Sequence, residues 1–383
     1  MNRAGIDAAL TDAVESGALV GASAAVWSRN GTYQGVVGEA DAGRPVAQDT
    51  FFQLASMTKA VTSVALMQLV EQQAVALDDP AGEHVAFVRD VQVLTGFDDD
   101  GTALFREPAR PVTIRHLLTH TAGFAYTWTD EMTAKYAESQ PTPAPGSAAC
   151  VEYPLIFDPG ESWVYGASTD WLGRVVEAVS GLRLDAYFDA HIFGPLGMDD
   201  TTFQPNPDQI ARLARIHRRT ADGLAVVPVR LPAEDPEMLL GGSGLFGTVG
   251  DYLRFTRMLL DRGQLDGERV LAAETVDAMY ADQLESTTTA GERRFSPDVA
   301  SDLAAFVRED SGWGLGFQIH RRGRPDRRAP GSLSWMGGLN TFYWIDPATH
   351  VTGVFATQID PLLDPATSKA FSRFERAVYE ALG

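Results

Sequence analysis

Residues 18–40 alternate apolar and polar positions about a turn: ALVGASAAVWS, then Arg29, Asn30 and Gly31, then TYQGVVGEA. Period-two alternation on both sides of a short turn predicts a β-hairpin that opens a sheet. From Thr58 to Val70 the run TKAVTSVALMQLV is apolar almost all round. That is the pattern of a helix buried in a large protein rather than one lying on its surface. From about residue 76 to 234, Pro, Asp and Arg become frequent, and 137–160, with PTPAPGSAAC and DPGES, reads as loop. After GGSGLFGTVGDYLRF (241–255) the apolar texture returns: Trp313, Leu315, Phe317 and Ile319 alternate with Gly314, Gly316, Gln318 and His320 as on one face of a strand. TFYWI (341–345) and VTGVFATQ (351–358) predict two more strands joined through Asp346, Pro347 and Ala348. Phe371, Phe374, Val378 and Leu382 form one stripe of a closing helix.

Strands at both ends and a loop-rich middle predict an α/β (α+β) fold. One antiparallel sheet flanked by helices is expected from residues 1–75 and 235–383, with 76–234 inserted as a mostly helical domain. The length of 383 residues suits two or three folding units, or one core carrying a large insertion. With 45% apolar and 21% charged residues the chain can bury such a core and is not disordered along its length. Lys and Arg number 31 against 51 for Asp and Glu, a net charge of −20, which repels nucleic acid and anionic membranes; neither is expected as a partner. No run of about 18 apolar residues occurs, and MNRAGIDAALTDAVESG lacks a long apolar stretch before a small-residue cleavage site, so a cytoplasmic protein is expected. The single cysteine, Cys150, allows no internal disulfide and no two-thiolate site, and reads as a small buried hydrophobe.

Ser56-Met57-Thr58-Lys59 places a hydroxyl and an amine three residues apart, on one face at the mouth of the most apolar helix. An amine held in a poorly hydrated pocket is less stable as an ammonium, so it can take the proton of Ser56. The helix amino end adds N–H groups and a positive field where an oxyanion would form. The plainer alternative is a helix cap followed by a solvated lysine. Against it, the chain has only three lysines, Lys59, Lys135 and Lys369, and keeps one here, where arginine could not deprotonate. Tyr165 lies among small residues, Gly166, Ala167 and Ser168, and alone would read as a core tyrosine. Trp335-Met336-Gly337-Gly338 precedes an apolar strand, and its glycines allow close backbone approach to a ligand or mark a bulge. His116 and His120 share the i, i+4 spacing of zinc ligands, but no third ligand is nearby, so capping and core hydrogen bonds are the better reading. Asp98-Asp99-Asp100-Gly101 lacks calcium-loop spacing and reads as a surface turn. Around Ser243 the string GGSGL fails the last position of a G-x-S-x-G elbow, which removes the usual α/β-hydrolase reading.

Ser56-x-x-Lys59, RHLLTHTAGFAY (115–126), the Tyr165 segment running into DWLGRVVEAVSG, GGSGLFGTVGDYLRF and Trp335-x-Gly337 occur in this order over nearly the whole chain. Together they resemble the serine β-lactamase-like hydrolases, which include class C β-lactamases, penicillin-binding D-Ala-D-Ala peptidases and β-lactamase-fold carboxylesterases. The resemblance implies the β-lactamase/penicillin-binding transpeptidase-like fold. It also implies Ser56 as nucleophile, Lys59 and Tyr165 as the basic pair beside it, and an oxyanion hole from the backbone N–H groups of Ser56 and Gly338. Tyr126 matches an aromatic position that lines the pocket in the esterase branch; Trp335, Gly337 and Ser168 are the other expected substrate contacts. Where class C β-lactamases have Tyr-x-Asn this chain has Ala167, and where they have Lys-Thr-Gly it has Trp335-Met336-Gly337. Both recognition elements for penicillins are thus replaced, and the Trp-x-Gly form resembles the esterase branch.

The expectation is a cofactor-free, metal-free serine carboxylesterase acting on a small-molecule ester through a Ser56 acyl-enzyme. The rivals are a β-lactamase or D-amino-acid peptidase, an acyltransferase that differs by excluding water from the second step, and a non-catalytic binding protein of the same fold. Oligomeric state is not legible in the sequence.

Overall fold

The apolar segments from the two ends of the chain meet in one sheet. A computed structural model describes residues 3–284, 311–324 and 326–383. Strands β1 (Gly21–Ser28), β2 (Gly31–Asp41) and β3 (Arg44–Pro45) supply one edge. Strands β4 (Ser311–Trp313), β5 (Gln318–His320), β6 (Ser332–Gly337), β7 (Thr341–Asp346) and β8 (Val351–Ala356) supply the rest. The order is β4-β5-β6-β7-β8-β1-β2-β3, antiparallel throughout. Strand β1 joins the two ends: Ala24 pairs with Gly35 of β2 on one side and Phe355 of β8 on the other.

The longest helices among the described residues are α1 (Arg3–Glu15), α2 (Thr58–Glu71), α3 (Ser168–Ser180), α4 (Val249–Leu260) and α5 (Pro365–Leu382). Caps set two of their starts: Thr248 accepts a hydrogen bond from Asp251 N at 3.2 Å to begin α4, and Asp364 accepts one from Thr367 N at 2.9 Å to begin α5. The strand alternation decides which helix each residue meets. Phe342 stacks on Phe371 of α5 with centroids 4.3 Å apart, and Trp344 meets Phe374 edge-on at 6.2 Å. Tyr343, between them in sequence, faces the other way and lies 5.3 Å from Tyr252 of α4. Such ring pairs add about 0.5–1.5 kcal/mol beyond their area burial. A Cβ on Gly353, opposite Trp344, would sit 2.1 Å from the indole, so glycine is what lets β7 and β8 pair there. Helices α1 and α5 pack together on the Phe342 face, while α4 covers β1, β7 and β8 on the Tyr343 face.

Helix α2 is buried almost throughout and packs on α3. Residues between β3 and β4 form further helices, small two- and three-stranded sheets and loops, and of the segment expected to complete the sheet unit, 285–310 lies outside the described residues. Two expectations change. Trp313 to Ile319 is not one strand face but the hairpin of β4 and β5, because Gly316 takes a left-handed φ of 104° and Gly314 N bonds Phe317 O at 2.8 Å. Cys150 is half-buried on a short 3-10 turn, with Sγ 3.4 Å from Ala144 O, rather than in the core. Among the described residues no helix is long and apolar enough to cross a membrane.

Candidate active site

Ser56 stands where the chain turns into α2. Leu54 is fixed first: its N–H donates to Leu245 O at 2.9 Å and its carbonyl accepts from Thr341 Oγ1 at 3.3 Å. Ala55 then takes a left-handed φ of 47°, uncommon for a residue with a Cβ. The single 3-10 turn Ala55–Met57 follows, its bonds running from Met57 N to Leu54 O and from Thr58 N to Ala55 O, and leads directly into α2. Thr58 fastens the turn, with Oγ1 donating to Ala55 O at 2.6 Å and accepting from Leu245 N at 3.0 Å. Ser56 itself is half-buried. Lys59, one turn on, is only 1% exposed.

The Lys59 amine is held by neutral oxygens. Its Nζ donates to Tyr126 Oη at 3.0 Å and to Gly242 O at 2.8 Å. The Tyr126 hydroxyl donates to Asp170 Oδ2 at 2.9 Å, and Asp170 Oδ1 accepts from Gly242 N at 2.9 Å. Lys59, Tyr126, Asp170 and Gly242 therefore close a ring of hydrogen bonds in which no polar group lacks a partner. Burial, and after it the charge of Asp170, pushes the Tyr126 phenol well above its usual range, which keeps its proton in place. Burial also raises the Asp170 carboxyl, opposed chiefly by the charge of Lys59. The ring requires glycine at 242, since a Cβ there would lie 2.5 Å from Asp170 Oδ2.

Around the ring stands an aromatic wall. Lys59 Nζ lies 4.7 Å from the centre of the Tyr165 ring and 5.2 Å from that of Tyr126, and cation–π contacts of this kind contribute about 0.5–2 kcal/mol each. Trp128 stacks on Tyr126 at 5.6 Å and meets Tyr165 edge-on at 5.8 Å. Trp335 of β6 donates its indole N–H to Tyr165 Oη at 3.1 Å, which fixes the phenol oxygen and leaves its own proton free to point elsewhere. His120 sits behind Tyr165 with centroids 5.1 Å apart; burial, and next the charge of Lys59, holds it well below its usual range and therefore neutral. Strand β6 ends beside the Ser56 turn: a Cβ on Gly337 would meet Leu54 O at 2.3 Å, whereas one on Gly338 would meet nothing within 4 Å.

The structure thus brings Lys59, Tyr126, Tyr165 and Trp335 into direct contact, with Ser56 three residues from the amine and Gly337 packed on the turn before it. Among the described residues no hydrogen bond joins Ser56 Oγ to Lys59 or Tyr165; the amine faces Tyr126 instead. Ser168 opens α3 fully buried, and its Oγ has no hydrogen-bond partner. His116 caps a short helix, its Nδ1 accepting from Thr113 N at 3.1 Å. Asp170 and Gly242 escaped the sequence reading. An acid standing immediately before Trp171 and Leu172 was a signal for the first; for the second there was only the glycine pair.

The Beta-lactamase family profile matches residues 6–377. The chain belongs to the Beta-lactamase family. This family member is 33% identical over 347 residues to monacolin J acid methylbutanoyltransferase of Aspergillus terreus, covering 88% of this chain and 83% of that protein. It is 34% identical over 333 residues to lovastatin esterase of Penicillium rubens, covering 82% and 81%. A mutant simvastatin synthase from Aspergillus terreus superimposes with a TM-score of 0.84 at 30% identity, covering 98% of this chain and 94% of the other. The fold is that of the β-lactamases and penicillin-binding transpeptidases, and the family is one of serine hydrolases and acyltransferases.

Proposed function

We propose that the protein is a serine carboxylesterase that cleaves short-chain acyl esters through an acyl-enzyme on Ser56. The observation that carries this reading is the buried Lys59 amine, given two acceptors, Tyr126 Oη and Gly242 O, at the mouth of the helix that follows Ser56. As a neutral amine Lys59 spends both N–H groups on them and keeps a lone pair for a proton. Ser56 Oγ attacks the ester carbonyl, and its proton passes to the Lys59 and Tyr165 pair. The carbonyl oxygen takes the negative charge between the N–H groups of Ser56 and Gly338; the first is not used by the 3-10 turn, and a Cβ on Gly338 would meet nothing within 4 Å. Collapse of this intermediate breaks the ester C–O bond, and the shuttled proton leaves with the alcohol. Water then attacks the acyl-Ser56 ester, returning the serine and releasing the acid.

Trp335 and Ala167 support an ester over a β-lactam. A charge-assisted hydrogen bond to a substrate carboxylate contributes about 1.5–3 kcal/mol and an amide hydrogen bond about 0.5–1.5 kcal/mol. Trp335 offers neither, being buried with its one N–H spent on Tyr165. We expect kcat/KM for p-nitrophenyl acetate or butyrate to exceed that for nitrocefin by about a hundredfold, after correction for intrinsic reactivity. A nitrocefin value equal to or above the ester value overturns the reading in favour of a β-lactamase. The name of the 33% identical methylbutanoyltransferase favours a second reading, in which an alcohol takes the acyl group from Ser56. Adding an alcohol acceptor to the ester assay separates the two: hydrolysis yields acid at an unchanged rate, whereas transfer yields a new ester at the acid's expense.

A further inference from the structure

The sequence of 321–328 is RRGRPDRR, five arginines in eight residues of a chain with a net charge of −20, and its last two, Arg327 and Arg328, meet α5 on the side of the sheet away from Ser56. Arg328 is buried and pairs through Nε with Glu375 Oε1 of α5. Arg327, its side chain 17% exposed, reaches Glu375 Oε2 from Nη1 at 3.3 Å and Ser372 Oγ at 2.7 Å. Two guanidiniums thus share the Glu375 carboxylate, while the other buried carboxylate of this region, Asp346, accepts hydrogen bonds from Ala329 N, Thr349 N and the Tyr379 hydroxyl. Arg327 Nε and Ser368 Oγ are moreover buried without a hydrogen-bond partner. A cavity of about 280 Å³ opens at this point, lined by Arg327, Arg328, Ser368 and the paired Glu375 among its polar groups and by Phe342 and Phe371 among its apolar ones. Because Phe342 and Tyr343 point to opposite faces of β7, the sheet separates this cavity from the Lys59 ring.

We propose that this cavity is a second binding site, for a small organic anion whose carboxylate or phosphate head meets Arg327 and whose short apolar tail lies on Phe342 and Phe371. The head supplies the acceptor that the buried Arg327 Nε and Ser368 Oγ lack, and the volume, at the low end for small-molecule sites, suits a ligand of about ten heavy atoms. The site does not depend on the catalytic reading of Ser56.

The test is calorimetric titration of the full chain at low salt with octanoate, octyl phosphate and inorganic phosphate. Saturable one-site binding of octanoate or octyl phosphate is expected, the better of the two identifying the head group. It should weaken at least tenfold in Arg327→Gln, which removes the charge. It should weaken as much in Ser368→Met, which fills the cavity and leaves both guanidiniums. Both variants should keep wild-type ester turnover, which places the loss outside the Ser56 site. Absence of saturable binding by either tailed anion overturns the proposal, as does unchanged affinity in Ser368→Met. Inorganic phosphate binding as tightly as octyl phosphate overturns the apolar half of the site.

Discussion

Two buried charge-bearing groups, Lys59 and Glu375, lie on opposite faces of the same sheet and are held in opposite ways. Lys59 touches a phenol oxygen, a backbone carbonyl and two aromatic rings, and the Asp170 carboxylate is linked to it only through Tyr126 and Gly242. Glu375 touches two guanidiniums directly. Neutral acceptors hold an amine in place whether or not it carries a proton, so Lys59 can change charge without losing its geometry. An ion pair with arginine permits no such change, because neither partner can alter its charge without leaving the other buried and alone. The first arrangement suits proton transfer, and the second anchors α5 to the sheet.

The sharpest way to break this contrast is to give Lys59 a charge it cannot lose. Lys59→Arg should lower kcat/KM for p-nitrophenyl butyrate on the order of a thousandfold, close to Lys59→Ala, since acid–base catalysis of this kind contributes about 10²–10⁴. If the arginine variant kept a tenth of wild-type activity, Lys59 would be only an electrostatic support. Glu375→Gln attacks the other side. It leaves two guanidiniums without their carboxylate and should cost about 3–5 kcal/mol of stability in urea unfolding, while the folded fraction turns over ester within a few-fold of wild type. A large fall in kcat at unchanged stability would reverse the assignment of roles. Smaller, and aimed at the junction of the two kinds of contact, is Asp170→Asn. An asparagine cannot accept from both Tyr126 and Gly242, so kcat/KM should fall about ten- to a hundredfold. Since burial raises the Asp170 carboxyl, wild-type activity should fall as pH drops into the range where that group takes a proton, and the variant should lack this acid limb. An identical acid limb in both proteins would assign it to another group.

What the sequence disclosed follows the range of the interactions. The β1–β2 hairpin, helix α2 and strands β7 and β8 were legible because their periodicity is local. Ser56 and Lys59 were legible because one helical turn fixes their relation whatever surrounds them. The partners of Lys59 were not, since Tyr126 and Gly242 reach it over separations of 67 and 183 residues. Asp170 meets Gly242 across 72 residues. The hairpin of β4 and β5 was hidden for a different reason: both strands are buried at every position, so alternation carried no information about which way a side chain points. Glu375 lay concealed on a helix whose apolar stripe accounted for Phe371, Phe374 and Val378 and gave no hint that an acid shares that buried face.

The claim on which the account depends is that Ser56 carries the acyl group. Incubating the protein with a fluorophosphonate and mapping the adduct by intact and peptide mass tests it most directly. One label per chain is predicted, on the peptide containing Ser56, and none in Ser56→Ala with an unchanged melting temperature. A label on Ser168 or Ser243, or a Ser56→Ala protein that still labels and still cleaves ester, would contradict it.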